Sequence, residues 1–224
     1  MVSILICNWN LKKWIDECVA EILKYPPKVE YEIIFTDQGS SPEDGFREWA
    51  EERPQYKYIW NSVNMGYGWG LNQGIMASEG KYICILNSDT KPAEGWLDYM
   101  VEYLEANPDV GLVGPSTNSS CCKDQHPDNN KGETIDNVSN IIPFVCVVIP
   151  KRVLVHGGLL SSSYAEDIEF NQRIRSKGWK TKIVGKSYVW HYMNSSYEAN
   201  KIGRFQPHQK AYHEETLYPR LYGR

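Results

Sequence analysis

The sequence lacks the marks of several large protein classes. Its six cysteines, at 7, 18, 84, 121, 122 and 146, contain no C-x-x-C pair, which removes the usual zinc and redox frameworks. No apolar run reaches the ~18 residues that a membrane-spanning helix needs. Residues 2–7 are apolar, but Asn8, Asn10, Lys12 and Lys13 follow at once, which is not the plan of a secretion signal. The expected location is therefore cytoplasmic, extending to the inner face of a membrane. The sequons at Asn118, Asn137 and Asn194 then read as chance matches. A basic balance is also missing: the net charge is −4, against a chain-wide nucleic-acid binder. There is no internal repeat and no low-complexity tract.

Aromatic residues are plentiful. Eight Trp and fifteen Tyr supply flat surface that suits either sugar rings and bases or a core of large side chains. The 224 residues fit one domain with an appendage, drawn as 1–191 and 192–224. Between Asn171 and Ser187 stand six cations, Arg173, Arg175, Lys177, Lys180, Lys182 and Lys186, and no acid. Such a strip reads first as a solvated face and second as a phosphate or anionic-acceptor surface. Cys7, Cys84 and Cys146 lie in apolar runs and read as buried small hydrophobes.

The first half alternates apolar runs with amphipathic stretches. Residues 2–7, 31–36, 56–60, 82–86 and 110–113 read as strands. Trp14, Cys18, Val19, Ile22 and Leu23 recur at helical spacing until Pro26 and Pro27. Ser41 and Pro42 open a short helix whose apolar side is Phe46, Trp49 and Ala50. Residues 64–74 are glycine-rich and read as loop then helix, and 96–104 as another helix. This order predicts an α/β fold with a mostly parallel sheet and helices on both faces. Residues 115–140 are polar and read as a long structureless loop. Then come a strand at 144–149, a helix around Ile168 and Ile174 stopped by Gly178, and a strand at 181–190.

Ligands of open parallel sheets bind beyond the carboxyl ends of the strands. Those ends carry Asn8-Trp9-Asn10, Asp37-Gln38-Gly39-Ser40, Asn64-Met65-Gly66 and Asn87-Ser88-Asp89. Asp89 could hold a hard divalent cation, which takes oxygen ligands and shares them with a diphosphate, or simply cap its turn. Glu166 and Asp167 open a helix, where the dipole favours acids; a carboxylate there could also deprotonate a hydroxyl. His191 ends the last strand, as a ligand or as a structural histidine.

In this order and spacing the chain resembles the family 2 inverting glycosyltransferases with the GT-A fold, over roughly residues 1–192. The resemblance rests on Val2-Ser3-Ile4-Leu5-Ile6-Cys7-Asn8-Trp9-Asn10, on the glycine-rich stretch from Asn64 to Gly74, and on Gly80 through Asp89. It rests also on Ala165-Glu166-Asp167-Ile168-Glu169-Phe170 and on Val189-Trp190-His191. It implies that Cys7, Asn8 and Trp9 border the donor base and that Asp37 bonds to it. Asn64 and Asn72 would shape the donor pocket, and Asn87 and Ser88 would lie near the ribose. Asp89 and His191 would serve a divalent metal, Mn2+ or Mg2+, or the diphosphate. Asp167 would be the catalytic base, with Glu166 beside it at the acceptor end. The implied donor is a nucleotide-sugar, UDP-sugar favoured, and the implied acceptor a hydroxyl of a glycan or lipid-linked molecule. Cys7, Gln38 and Asn87 depart from the residues common in the family, and the last two leave fewer carboxylates around the donor.

The implied reaction is a single displacement with inversion at the sugar C1. Rival readings are transfer to a nucleic acid carrying a modified base, a non-catalytic sugar-nucleotide-binding module, and a nucleotidyltransferase. The last would show a glycine-rich basic loop after the first strand, and Asn8-Trp9-Asn10-Leu11-Lys12 has no glycine.

Overall fold

The computed structural model describes residues 1–136, 141–161, 165–193 and 199–200. In chain order the elements are β1 (Val2–Asn8), α1 (Lys12–Lys24), β2 (Tyr31–Gln38), α2 (Phe46–Glu51), β3 (Lys57–Asn61) and α3 (Tyr67–Ala77). Next are β4 (Tyr82–Leu86), β5 (Thr90–Pro92), α4 (Trp96–Ala106), β6 (Val110–Ser116), α5 (Pro127–Asn130) and β7 (Thr134–Asp136). The last are β8 (Cys146–Pro150), α6 (Lys151–Gly157), α7 (Glu166–Ser176) and β9 (Lys180–His191).

One sheet collects the strands in the order β3-β2-β1-β4-β8-β6-β9-β5, with β7 against β9. β1 to β4, β6 and β9 run one way; β5, β7 and β8 run against their neighbours. The sheet is thus mostly parallel, as expected. Alternation along each strand sends side chains to two cores. Ile4, Ile6 and Cys84 join Ile15 and Ile22 of α1, Trp49 of α2 and Trp96 of α4 on one face. Leu5, Ile83 and Ile85 join Leu71 of α3, Val153 of α6 and Phe170 of α7 on the other. Burying each such side chain contributes about 1.5–3 kcal/mol. Part of the aromatic content is core: Phe35 meets Phe46, Trp49 and Tyr56 edge to face.

Some expectations need correction. Ile15, not Leu23, completes the buried face of α1; Leu23 is exposed. Residues 115–140 are not structureless: a 3-10 turn (Lys123–Gln125), α5 and β7 lie there, the last paired with β9. Cys122 is buried in the second core and Ile135 packs against it, and side-chain amides add direction. Gln125, fully buried, donates to the Pro115 carbonyl, and Asn130 donates to Ser116 Oγ. The basic strip is largely engaged within the protein. Arg173 pairs with Glu169, Lys177 caps the His156 carbonyl, and Lys180 pairs with Asp109. The proposed appendage at 192–224 lies mostly outside the described residues.

The glycine-rich helix α3 sits where contacts are too close for a side chain. A Cβ on Gly70 would stand 2.6 Å from Gln38 Nε2 and 2.8 Å from Cys7 Sγ. One on Gly68 would strike the Ser161 carbonyl. The glycines let α3 press onto the ends of β1 and β2 and onto the segment leading to α7.

Candidate active site

The carboxyl ends of β1 and β2 are in register, with Asn8 opposite Asp37. Asn8 Nδ2 donates to Asp37 Oδ1 at 3.2 Å and to Ser40 Oγ at 3.0 Å, and Ser40 Oγ donates to the same carboxylate oxygen. Burial raises the Asp37 pKa, against the lowering effect of the Ser40 and Asn8 bonds. The amide of Asn10 is tied to the Ser40–Ser41 turn and to Asn200, whose own amide donates to the Trp9 carbonyl. Cys7 lies behind this edge against α3, its thiol pushed up to about 12 by burial and hence neutral. Asn8, Trp9 and Asp37 therefore gather at one edge, with Cys7 just behind.

Asn64 and Asn72 do not join them in the same way. Asn64 is exposed and its side-chain oxygen accepts from Gly66 N at 2.8 Å. Asn72 spends its amide on Leu160, donating to the carbonyl at 2.9 Å and accepting from the N–H at 3.0 Å. Its direct role is to hold the 158–161 segment.

Beyond β4 the chain turns through Asn87, Ser88 and Asp89 into β5, which pairs with the end of β9 so that Thr90 faces His191. His191 Nε2 and Asp89 Oδ1 stand 3.2 Å apart, each side chain 10 % exposed. The remaining imidazole nitrogen, Nδ1, is buried with no partner among the described residues. Asn87 accepts a 2.7 Å bond from the Tyr67 hydroxyl, which also reaches the Phe144 carbonyl at 3.2 Å. Ser88 is buried beside them.

Glu166 and Asp167 open α7, after Ala165 at φ 72°. A left-handed alanine is strained, and such strain is held at positions the surroundings over-determine. The two acids are half-buried and differ in support. Burial, then the neighbouring Asp167 charge, raises Glu166 to about 8. Burial also raises Asp167, but the backbone amides of Ile168, Asp167 itself and Phe144 act to lower it. Glu166 is therefore largely protonated at neutral pH and can donate a hydrogen bond, while Asp167 is the better held carboxylate. Burial thus raises both acids, and backbone amides oppose it at Asp167.

Tyr67 links these groups. Its pKa is raised chiefly by burial and further by the acidic groups near it, among them Asp167 and Asp89. It lies inside the glycine-rich stretch, yet nothing in the sequence distinguishes it from the chain's other tyrosines. Asn118 was equally invisible: it bonds both backbone groups of His191.

Among the described residues no three His, Cys, Asp or Glu side chains form a metal cage. Asp89 and His191 supply one oxygen and one nitrogen donor. That set fits a cation completing its shell from a bound diphosphate and water, as Mg2+ commonly does.

A mostly parallel sheet carries Asn8, Asp37 and the Asp89–His191 pair at strand ends, and this is the architecture of the GT-A fold. The chain belongs to glycosyl transferase family 2, whose profile matches residues 3–148. An uncharacterized glycosyltransferase of Haemophilus influenzae is 28% identical over 116 residues, 51% of this chain and 36% of that protein. The poly-beta-1,6-N-acetyl-D-glucosamine synthase of Staphylococcus epidermidis is 30% identical over 117 residues, 50% of this chain and 27% of that protein. The matched part thus spans about a third or less of these curated relatives. The mannosyltransferase PcManGT of Pyrobaculum calidifontis, solved with GDP-Man and Mn2+, superposes with a TM-score of 0.70 at 19% identity, over 99% of this chain and 72% of that one.

Proposed function

We propose that this chain is an inverting, metal-dependent glycosyltransferase that moves a sugar from a nucleotide-sugar, a UDP-sugar favoured, to an acceptor hydroxyl in glycan or surface polysaccharide synthesis. The observation that carries this reading is the arrangement around Tyr67. Its hydroxyl donates to Asn87, two residues before Asp89, and to the carbonyl of Phe144, whose backbone also meets the Asp167 carboxylate, so the turn carrying Asp89 and the start of α7 are tied to one side chain. The donor base would lie across Asn8, Trp9 and Asp37, with Asn87 and Ser88 near the ribose. Asn64 and Asn72 would border this pocket indirectly, through Gly66 and Leu160.

Asp89 and His191 would hold Mn2+ or Mg2+, which when bound neutralises charge on the leaving diphosphate. Asp167 takes the proton of the acceptor hydroxyl as that oxygen attacks C1 from the face opposite the diphosphate. The C1–oxygen bond to the diphosphate breaks with its electron pair, and the anomeric configuration inverts. Glu166, protonated, orients the acceptor by donating a hydrogen bond. No enzyme nucleophile is needed. Among the described residues no helix is long and apolar enough to cross a membrane. A lipid-linked acceptor at a membrane face fits the proposal.

A thermal-shift screen of nucleoside diphosphates with and without MnCl2 tests it. The expected result is a shift for UDP that grows with Mn2+. Shifts of equal size with and without Mn2+ would sink the metal dependence, and a larger shift with GDP would sink the base preference. Donor hydrolysis then separates an enzyme from a binding module.

A further inference from the structure

Among the described residues three asparagines act as short lengths of β-ladder. Each side-chain amide both donates to and accepts from the backbone of one distant residue. Asn72 does this to Leu160, Asn171 to Ile142, and Asn118 to His191. The third clamp falls on half of the Asp89–His191 pair. Asn118 Oδ1 accepts from His191 N at 2.7 Å, and Asn118 Nδ2 donates to the His191 carbonyl at 3.1 Å.

The clamp stands where the ladder between β6 and β9 fails. The register runs from Val110↔Lys180 to Pro115↔Val184, then jumps to Ser116↔Tyr188. The extra residues of β9 are held by other means: Ser116 Oγ donates to the Gly185 carbonyl, Gly185 N to that of Glu133, and Ser187 Oγ to that of Trp96. Beyond Ser116 no strand pairing with β6 remains to fix the end of β9. Asn118 supplies the missing rung. Its own position is fixed by the amide-braced excursion: Thr117 N donates to the Gln125 carbonyl, and Gln125 to that of Pro115. On the far side Tyr192 N donates to the Asp89 carbonyl at 3.0 Å. His191 is thus held between Asn118 and β5, with its imidazole 3.2 Å from the Asp89 carboxylate.

We infer that Asn118 is a positioning residue that sets the His191 imidazole against Asp89, and that the polar excursion after β6 exists in part to present it. This rests on the cation-binding reading of that pair. Side-chain bonds of this kind confer direction, beside the burial of Cys122 and the packing of Ile135.

The test uses the full chain and the variants Asn118→Ala, Asn118→Asp and His191→Ala. Asn118→Asp keeps the acceptor for His191 N and removes the donor to its carbonyl, so it remains informative if the alanine variant folds poorly. Two readouts are needed. The first is the ¹⁵N shift of the His191 side chain without metal, which reports its bond to Asp89. The second is Mn2+ affinity measured by electron paramagnetic resonance in the presence of UDP. The expectation is a changed His191 signal in both Asn118 variants, with melting temperatures close to the parent, and Mn2+ affinity weakened ~10-fold, as for mutation of groups that orient metal ligands. In the His191→Ala background, Asn118→Ala should add no further loss. An unaltered His191 signal in folded Asn118 variants would overturn the inference. Mn2+ affinity unchanged by His191→Ala would instead overturn the cation reading, whatever the His191 signal shows.

Discussion

The Tyr67 hydroxyl donates a 2.7 Å hydrogen bond to Asn87 Oδ1, joining the first turn of α3 to the turn that carries Asp89. The same hydroxyl reaches the Phe144 carbonyl. Removing it as Tyr67→Phe leaves buried acceptors with one donor fewer. The expected loss of stability is about 1–3 kcal/mol, read from urea unfolding. Full stability in this variant would mean that the Asn87 turn is held by other contacts.

Asp167→Asn keeps the shape of α7 and removes the proposed base. Turnover should fall ~10²-fold or more while donor affinity stays close to the parent value. Near-normal turnover would take the role away from Asp167.

Asp89→Ala removes the carboxylate 3.2 Å from His191 Nε2. Calorimetric titration with UDP should lose its dependence on MnCl2. A titration that still responds to Mn2+ would remove Asp89 from the cation site.

Glu166 gives a pH signature. Its ordinary pKa of 4.5 is raised to about 8 in the folded chain. The folded state therefore binds the proton more tightly than the unfolded state, and stability falls as pH rises from about 4.5 through about 8. Glu166→Gln mimics the protonated form. The variant and the parent should melt together near pH 4, and the variant should melt higher near pH 9. Parallel melting curves across that range would show that Glu166 titrates normally.

Gly68→Ala places a methyl group against the Ser161 carbonyl. The helix start and the 158–161 segment must separate, at about 1–3 kcal/mol. Circular dichroism melts check this, and donor turnover should drop with them because α7 follows that segment.

Much of the fold was legible because the first four parallel strands are apolar runs, each ending in polar residues. Asp37, Asp89, Asp167 and His191 were visible because charged or imidazole groups at strand and helix ends are conspicuous. What escaped notice is held by pairing rather than by composition. β5 is three residues long and exists through its partners on β9. β7 and α5 depend on the amides of Gln125 and Asn130, which look like loop residues in a sequence. Asn72 bonds to Leu160, a partner 88 residues away, and a sequence does not say where an amide points. Tyr67 and Asn118 were hidden for the same reason.

The sheet order has a consequence for how the chain reaches this state. β3, β2, β1 and β4 come from the first part of the sequence, and β8, later in the chain, covers the outer edge of β4. A nascent chain that has emerged only through Leu86 carries that apolar strand with one row of backbone groups unpaired. Such edges invite association with other chains, and distant pairings form slowly. During synthesis the Tyr82–Leu86 edge thus stays open at least until Cys146–Pro150 has emerged, and His191 emerges later still.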